Sequence, residues 1–136
     1  MESVTLSGDA WRTIVRHAVE ALPNECCGLL VGRGMRVVLA VRARNAREGP
    51  TRFLVHPEDH FAAIRLASNL GMVVIGAYHS HPASAPEPSA TDLDESVDPS
   101  LIHAIVSLQA GTGSPDMAAY RICGDGFERL LLEREG

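Results

Sequence analysis

Two short, nearly continuous apolar runs constrain the fold of this chain most strongly. They read MVVIGAYHSH at 72–81 and LIHAIVSL at 101–108. Runs of this length without regular polar alternation are typical of central strands that are covered on both faces. Such strands need a packing layer on either side, so the two runs predict a sheet with helices against its faces.

Two helices are predicted ahead of these strands. In the first, over 11–22, the apolar residues recur at helical spacing and form one stripe: Trp11, Ile14, Val15, Ala18, Val19 and Leu22. Ser7 or Asp9 can cap its start, and Pro23 stops it. The second reads PEDHFAAIRLASNLG, with Pro57 in its first turn and Gly71 as its C-terminal cap.

Four further strands are predicted as two hairpins. CCGLLVG at 26–32 and RVVLAVRA at 36–43 are short β-type runs joined through RGM. AAYRIC and FERLLLE are joined by a Gly-Asp-Gly turn near the end of the sequence. Because strands outnumber helices, we expect an α/β fold, a mixed β-sheet sandwiched by helices, in a single domain over residues 1–136.

Length and composition are those of one globular domain. A chain of 136 residues with 46% hydrophobic residues can bury about two-thirds of its unfolded surface without a staple. No apolar run approaches the ~20 residues needed to cross a bilayer, and the start MESVTLSGD lacks the pattern of a secretory signal. We therefore expect a cytoplasmic protein with no membrane partner. The three cysteines are expected to be reduced and buried, since Cys26 and Cys27 are neighbours that would not normally bridge each other.

The charge distribution leaves one stretch of the chain anionic. The net charge of −5 argues against nucleic acid as a partner. All 12 basic residues are arginines, and none lies between Arg65 and Arg121, where the acidic residues are Glu87, Asp92, Asp94, Glu95, Asp98 and Asp116. Such a stretch is typical of a solvated surface, although it also suits a site that attracts a cation or a basic partner.

The segment HSHPASAPEPSATD, from 79 to 92, predicts a metal site. Side chains two apart on a strand point to the same face, so His79 and His81 would project together at the end of a buried strand. Prolines stiffen the loop that follows, and SATD is typical of a helix start with Ser89 at the cap and Asp92 in the first turn. Two imidazoles and a carboxylate leave the fourth tetrahedral position of one Zn²⁺ to water, as in catalytic zinc sites.

These motifs resemble the signature of the JAMM (MPN-plus) zinc metallopeptidases, in their compact prokaryotic form. The resemblance lies in HSHP at 79–82 and in SATD at 89–92, after the proline-rich loop. Upstream, ECCGLLVG at 25–32 resembles the strand that carries the catalytic glutamate of this family. The resemblance extends over nearly the whole chain, and it implies an MPN-type, cytidine-deaminase-like domain.

The resemblance also implies a role for five residues. It makes His79, His81 and Asp92 the zinc ligands, Glu25 the catalytic acid and base, and Ser89 a donor to the oxyanion. By itself, the sequence leaves open whether Ser89 contacts the oxyanion or only caps a helix. Glu25 on its own pattern is an ordinary acidic residue between a helix stop and a strand.

The activity implied by the resemblance is that of a zinc metallopeptidase or isopeptidase of the deubiquitinase type. Its substrates would be ubiquitin-like or sulfur-carrier proteins whose C-terminal Gly-Gly is joined to an amine, and the leaving amine could be a lysine, a cysteine or a peptide N-terminus. Two alternatives stay open. One is a non-catalytic MPN-type scaffold or binding module in a larger assembly, and the other is a zinc hydrolase of small amides.

Three other signals are set aside. HPEDH at 56–60 resembles the zincin pattern, but Pro57 at the first helical position places His56 outside the helix. His103 lies within an apolar run and is interpreted as a core histidine. Neither Cys26 nor Cys27 is accompanied in the sequence by a base that would activate a nucleophile.

Overall fold

A computed structural model describes residues 2–89, 92, 98 and 100–136 of the protein. Within these residues the named elements follow one another as β1 (Ser3–Leu6), α1 (Gly8–Ala21), β2 (Cys27–Arg33), β3 (Arg36–Ala43), α2 (Pro57–Asn69), β4 (Val73–His81), β5 (Ile102–Ser107), β6 (Asp116–Cys123) and β7 (Gly126–Arg134). The α/β class, both helices and both hairpins predicted from the sequence are confirmed.

The sheet closes into a barrel, which the sequence did not predict. Its strand order is β1-β3-β2-β4-β5-β6-β7, and β1 pairs in parallel with both β3 and β7. The prediction of a sandwiched sheet is therefore wrong in this respect. The strand responsible, SVTL, is too short to produce a clear pattern, yet its Val4 and Leu6 are fully buried.

The two apolar runs form adjacent parallel strands in the middle of the sheet. β4 pairs with β2 on one side and with β5 on the other, and every residue of β5 is buried. One core lies between α1 and the sheet and includes Ile14, Leu30 and Val106. A second core lies on the α2 side and includes Leu29 and Ala63. Neighbouring leucines of β2 thus face opposite cores, as expected for a strand that is covered on both faces.

The helix boundaries follow the predicted signals closely. Ser7 caps α1, because its Oγ accepts a hydrogen bond of 3.1 Å from the backbone nitrogen of Ala10. Leu22, expected in the apolar stripe, instead follows the end of the helix and is exposed. Gly71 follows the C-cap of α2 with a φ of +68°, a conformation that glycine adopts without strain.

Burial differs among the three cysteines, all of which are free. Cys26 and Cys27 are buried as expected, whereas Cys123 is exposed, because it ends β6 beside the Gly-Asp-Gly turn. Among the described residues, no helix is long and apolar enough to cross a lipid bilayer.

Candidate metal centre

His79 and His81 lie at the C-terminal end of β4 and project from the same face, as predicted. Both side chains are buried, and their Nε2 atoms are 3.2 Å apart. The ring of Phe53 stacks on that of His79, with centroids 4.2 Å apart and planes 15° from parallel. Strand alternation sets the direction of the two imidazoles, and the aromatic contact restricts the first of them.

Asp92 reaches the two histidines from beyond the proline-rich loop. Its Oδ2 lies 3.2 Å from His79 Nε2 and 3.1 Å from His81 Nε2. The backbone nitrogen of Ser89 donates to the same oxygen at 2.9 Å, and Ser89 Oγ accepts from the backbone nitrogen of Asp92 at 3.0 Å. This reciprocal pair is the contact expected between Ser89 and Asp92 in a capping box, and it directs the carboxylate towards the histidines; the helix predicted to begin there lies outside the described residues.

Glu25 completes a buried cluster of four. One possible ligand atom from each of Glu25, His79, His81 and Asp92 lies within 4.8 Å of the others. Glu25 is only 4% exposed, yet its Oε1 has no hydrogen-bond partner among the described residues. A buried, unpartnered carboxylate oxygen is costly, and its position beside the other three side chains indicates a site for a ligand.

The donor set fits a metal ion. His81 Nδ1 lies 2.8 Å from the carbonyl oxygen of Ala85. Because a carbonyl only accepts, Nδ1 carries a proton. Nε2 then faces the Asp92 carboxylate across a cation, which is either a second proton on the ring or a metal ion bound by the Nε2 lone pair. Tetrahedral Zn²⁺ with bonds of about 2.0–2.1 Å places its ligand atoms about 3.3 Å apart, close to the 3.1–3.2 Å separations found here.

The electrostatics of the cluster separate its two carboxylates. Burial raises the pKa of Glu25 to about 7, with Asp92 adding to the rise and His81 opposing it. Burial also acts to raise the pKa of Asp92, but hydrogen bonds from His79 and His81 outweigh it and hold that pKa well below its usual range. In the absence of a metal, the Asp92 carboxylate therefore stays ionised at neutral pH, whereas that of Glu25 titrates near it.

The loop between His81 and Ser89 is held through three consecutive carbonyl groups. Ser107 Oγ donates to the Ser84 oxygen at 2.6 Å, His81 contacts the Ala85 oxygen, and Tyr120 donates to the Pro86 oxygen at 2.7 Å. These anchors come from β4, β5 and β6. They determine where the chain returns with Ser89 and Asp92.

A cavity of about 370 Å³ opens beside the cluster. Its lining comes from three segments: Glu25 before β2, Pro50 and Thr51 from the segment after β3, and the loop from His81 to Ser89. Glu25 and Ser89 both line this cavity. A substrate that entered it would therefore meet both residues.

The signals set aside in the sequence take no part in the cluster. His56 caps α2 from outside the helix, its Nδ1 accepting from the backbone nitrogen of Glu58 at 3.2 Å. His103 is buried in β5 against Phe127. Burial raises the pKa of Cys26 to about 11 and that of Cys27 to about 12, so neither thiol is poised as a nucleophile.

Sequence reasoning missed the residues that support the cluster. Phe53, Ser107 and Tyr120 act through packing or through single hydrogen bonds to backbone atoms. Such contacts have no characteristic spacing. Asn45, which bonds the backbone of Glu25, was also missed, although an asparagine just after a strand is a known turn signal.

Comparison with known proteins agrees with the geometry. Residues 7–123 match the family described as prokaryotic homologs of the JAB domain. The chain belongs to this family. It is a JAMM-type metallopeptidase or isopeptidase, and the family resemblance read from HSHP and SATD is confirmed.

Three similar proteins illustrate the membership. A desampylase from Haloferax volcanii is 33% identical, with 97% of this chain and 96% of that protein covered. A CysO-cysteine peptidase from Mycobacterium tuberculosis is 27% identical, with 88% of this chain and 82% of that protein covered. The solution structure of a protein from Desulfitobacterium hafniense is 34% identical and superposes with a TM-score of 0.88, covering 97% of this chain and 92% of the other. The fold of this chain is therefore shared with the Desulfitobacterium hafniense protein over nearly its whole length.

Proposed function

We propose that this JAB-family protein is a zinc-dependent isopeptidase that hydrolyses the bond after the C-terminal Gly-Gly of a ubiquitin-like or sulfur-carrier protein. The observation that carries the proposal is the buried cluster of Glu25, His79, His81 and Asp92 beside an open cavity. The names of the desampylase and CysO-cysteine peptidase relatives support the substrate class.

In this proposal His79, His81 and Asp92 hold the metal through Nε2, Nε2 and Oδ2. The Nδ1 proton of His81 is committed to the Ala85 oxygen, and the backbone nitrogen of Ser89 occupies part of the Asp92 carboxylate. These contacts would hold the His81 ring and the Asp92 carboxylate in place for a shared ion. Zinc bound there would polarise the scissile carbonyl and lower the pKa of a water molecule from about 15.7 to about 7.

Glu25 would act as the general base and then as the general acid. Burial raises the pKa of Glu25 to about 7, and Zn²⁺ bound beside it would lower that pKa and keep the carboxylate ionised, ready to accept a proton. Oε1 is free to accept the proton of the attacking water. The same carboxyl group would then donate that proton to the leaving amine as the C–N bond breaks.

Ser89 would stabilise the oxyanion of the tetrahedral intermediate. Its Oγ accepts from the backbone nitrogen of Asp92, an interaction that uses a lone pair and leaves the hydroxyl proton available. Accepting from the Asp92 nitrogen and donating to an oxyanion are therefore compatible roles for one hydroxyl group. Removal of a donor of this kind typically slows the chemical step by about 10²–10³-fold.

A Gly-Gly terminus suits the shape of the site. The cluster lies at the buried end of β4, and the cavity beside it is bounded by the segment after β3 and the proline-rich loop. Glycine has no side chain to collide with these walls, so a Gly-Gly carbonyl could approach the cluster more closely than that of a larger residue.

The proposal is tested by cleavage of small Gly-Gly-ended proteins fused to a lysine side chain or to a cysteine. Matched fusions ending in Ala-Ala serve as the control. We expect cleavage of a Gly-Gly fusion only, loss of activity after complete removal of metal by a chelator, and recovery on adding Zn²⁺. Cleavage that survives complete metal removal, or that favours small amides over every Gly-Gly fusion, would contradict it.

A further inference from the structure

The position of Glu25 depends on its backbone. Glu25 precedes β2 and lies outside the strand ladder. Since its Oε1 has no hydrogen-bond partner among the described residues, no bond to that oxygen directs it. The direction of the carboxyl group must come from packing around it and from the bonds that hold the main chain on either side.

Four hydrogen bonds from two separate segments hold the main chain there. Ser80, between the two histidines, bonds both backbone groups of Cys26: its Oγ accepts from the Cys26 nitrogen at 2.8 Å, and its own nitrogen donates to the Cys26 oxygen at 3.1 Å. Glu25 itself is bonded by the segment after β3. Its nitrogen donates to the Gly49 oxygen at 2.8 Å, and its carbonyl oxygen accepts from Asn45 Nδ2 at 3.1 Å.

Asn45 uses its entire hydrogen-bonding capacity in this arrangement. Nδ2 donates to the Glu25 oxygen and to the Arg52 oxygen, at 3.1 and 3.2 Å. Oδ1 accepts from the backbone nitrogens of Arg47 and Leu54, both at 2.9 Å. An amide offers two donor hydrogens and two acceptor lone pairs, and here all four are used on backbone groups.

The side chain of Asn45 therefore stabilises the loop over 45–54 and also bonds that loop to Glu25. Its bonds to Arg47, Arg52 and Leu54 close the segment 45–54 on itself, which brings the Gly49 oxygen onto the Glu25 nitrogen. They also place Pro50 and Thr51 in the wall of the cavity beside the cluster. Only the fourth bond, to the Glu25 oxygen, leaves the loop.

From these contacts we propose that Asn45 is a positioning residue for Glu25, holding the carboxylate in line with the metal ligands without touching them. The proposal rests on the proposed function, in which Glu25 moves the proton. A displacement of about 1 Å can reduce the rate about 100-fold, so the loss of one anchor would reduce kcat rather than binding.

Two substitutions separate this role from simple support of the loop. Asn45→Asp retains both acceptor positions for Arg47 and Leu54 but replaces the donors that face the Glu25 and Arg52 carbonyls. Asn45→Ala removes all four bonds. Asn69→Asp makes the same charge change at an exposed residue, the last of α2 and outside the segment 45–54, and is the matched control.

With a Gly-Gly fusion as substrate, we expect kcat to fall about 10–100-fold in both Asn45 variants, with KM within about threefold of the unmodified protein. Stoichiometric Zn²⁺ binding should persist, and Asn69→Asp should behave like the unmodified protein. The proposal is overturned if Asn45→Asp retains full kcat while Asn45→Ala does not, since Asn45 would then support the loop alone. It is equally overturned by a change in KM only, or by loss of activity in proportion to lost zinc.

Amide hydrogen exchange tests the anchor without catalysis. In Asn45→Asp the Glu25 amide should exchange faster, because the new carboxylate repels the Glu25 carbonyl oxygen and releases the Glu25 main chain from the loop, while the Leu54 amide keeps its acceptor and stays protected. Unchanged exchange at Glu25 would overturn the proposal. If the unmodified protein cleaves no Gly-Gly fusion, the proposed function fails, and this measurement still decides whether Asn45 holds Glu25.

Discussion

Among single residues, Glu25 combines properties that folding stability alone would select against. A buried carboxylate with an unpartnered oxygen is destabilising, and burial has already raised its pKa to about 7. Ser80 shows the contrast: it is equally buried, but both its hydroxyl and its backbone nitrogen are used on Cys26. The unpartnered oxygen belongs to the one residue that the proposed mechanism requires to exchange a proton.

Replacing Glu25 tests this assignment. Glu25→Gln retains the shape of the side chain but cannot accept a proton at the carboxyl oxygen, so we expect kcat to fall by at least about 10²–10⁴-fold. Zinc should stay bound, because His79, His81 and Asp92 are unchanged. Single-turnover cleavage and metal content measured on the same preparation check both points. Full activity in this variant would exclude Glu25 as the base.

His17 provides a pH-dependent contribution to stability. Its Nδ1 lies 2.7 Å from the hydroxyl of Tyr78, and burial, assisted by Arg42, lowers its pKa to about 4. The unfolded chain therefore binds a proton that the folded protein excludes between pH 6.5 and about 4. In that window the free energy of unfolding decreases as the pH falls, by at most about 1.4 kcal/mol per pH unit for one proton.

His17→Gln should make this decline shallower, because glutamine accepts from the Tyr78 hydroxyl and does not titrate. We expect the slope of the unfolding free energy against pH to differ between the two proteins more below pH 6.5 than above it. Because His17 is partly exposed, this difference should be smaller than the upper limit given above. Urea unfolding at a series of pH values measures both slopes. Equal slopes would show that His17 does not contribute to the acid sensitivity.

At the scale of elements, the proline-rich loop carries Ser89 and Asp92 back to the histidines. Neighbouring strands hold it at the carbonyls of Ser84, Ala85 and Pro86. Its prolines reduce the number of conformations open to the unfolded loop, so less entropy is lost when Asp92 is brought to the cluster. The position of Asp92 therefore depends both on the prolines of the loop and on the strands that hold its carbonyl groups.

Tyr120→Phe should loosen this loop without opening a cavity. The phenol hydroxyl donates to the Pro86 oxygen, and its loss should weaken Zn²⁺ affinity about threefold to tenfold, less than the 10–100-fold typical of a direct partner of a ligand. Tyr78→Phe removes the other tyrosine hydroxyl, which contacts His17 rather than the loop, and should leave the affinity unchanged. Competition with a chromophoric zinc chelator measures both. Equal affinities in the two variants would contradict the anchoring role.

At the scale of the whole molecule, the short strand β1 closes the barrel. It pairs in parallel with β7 over Ser3–Leu6 and with β3 at Thr5 and Leu6. Its alternate residues, Val4 and Leu6, enter the core that also packs against α1. Four residues at the start of the chain thus join the last strand to the hairpin that follows Glu25.

Leu6→Ala should therefore destabilise the protein strongly. Leu6 is fully buried, and truncation of a buried leucine costs about 2–5 kcal/mol. Leu131→Ala on the adjoining strand β7 is the control, since Leu131 is 49% exposed and a surface substitution usually changes stability by less than about 0.5 kcal/mol. Urea unfolding measures the loss of unfolding free energy in each variant. Similar losses in the two would argue against a central role for β1 in the stability of the barrel.

Several parts of the structure could be predicted because their patterns are local. The spacing of His79 and His81 within a β-type run places both on one face, and a reciprocal contact between Ser89 and Asp92 follows from the cap signal SATD. The helix boundaries likewise follow Ser7 and Gly71. Each of these inferences relates a side chain to its own backbone, over a distance that one element spans.

By itself, the sequence therefore determined the α/β class, the paired imidazoles and, through its family motifs, the residues to be examined together. Only the tertiary structure brought Glu25 and Asp92 to the histidines, closed the barrel through β1 and assigned Asn45 and Tyr120 to the backbone groups they hold. The physical reason is that the spacing of apolar residues along the sequence shows only which face of its own strand or helix a side chain lies on. Convergence of distant segments depends instead on mutual packing and on hydrogen bonds to main-chain atoms, which have no sequence spacing.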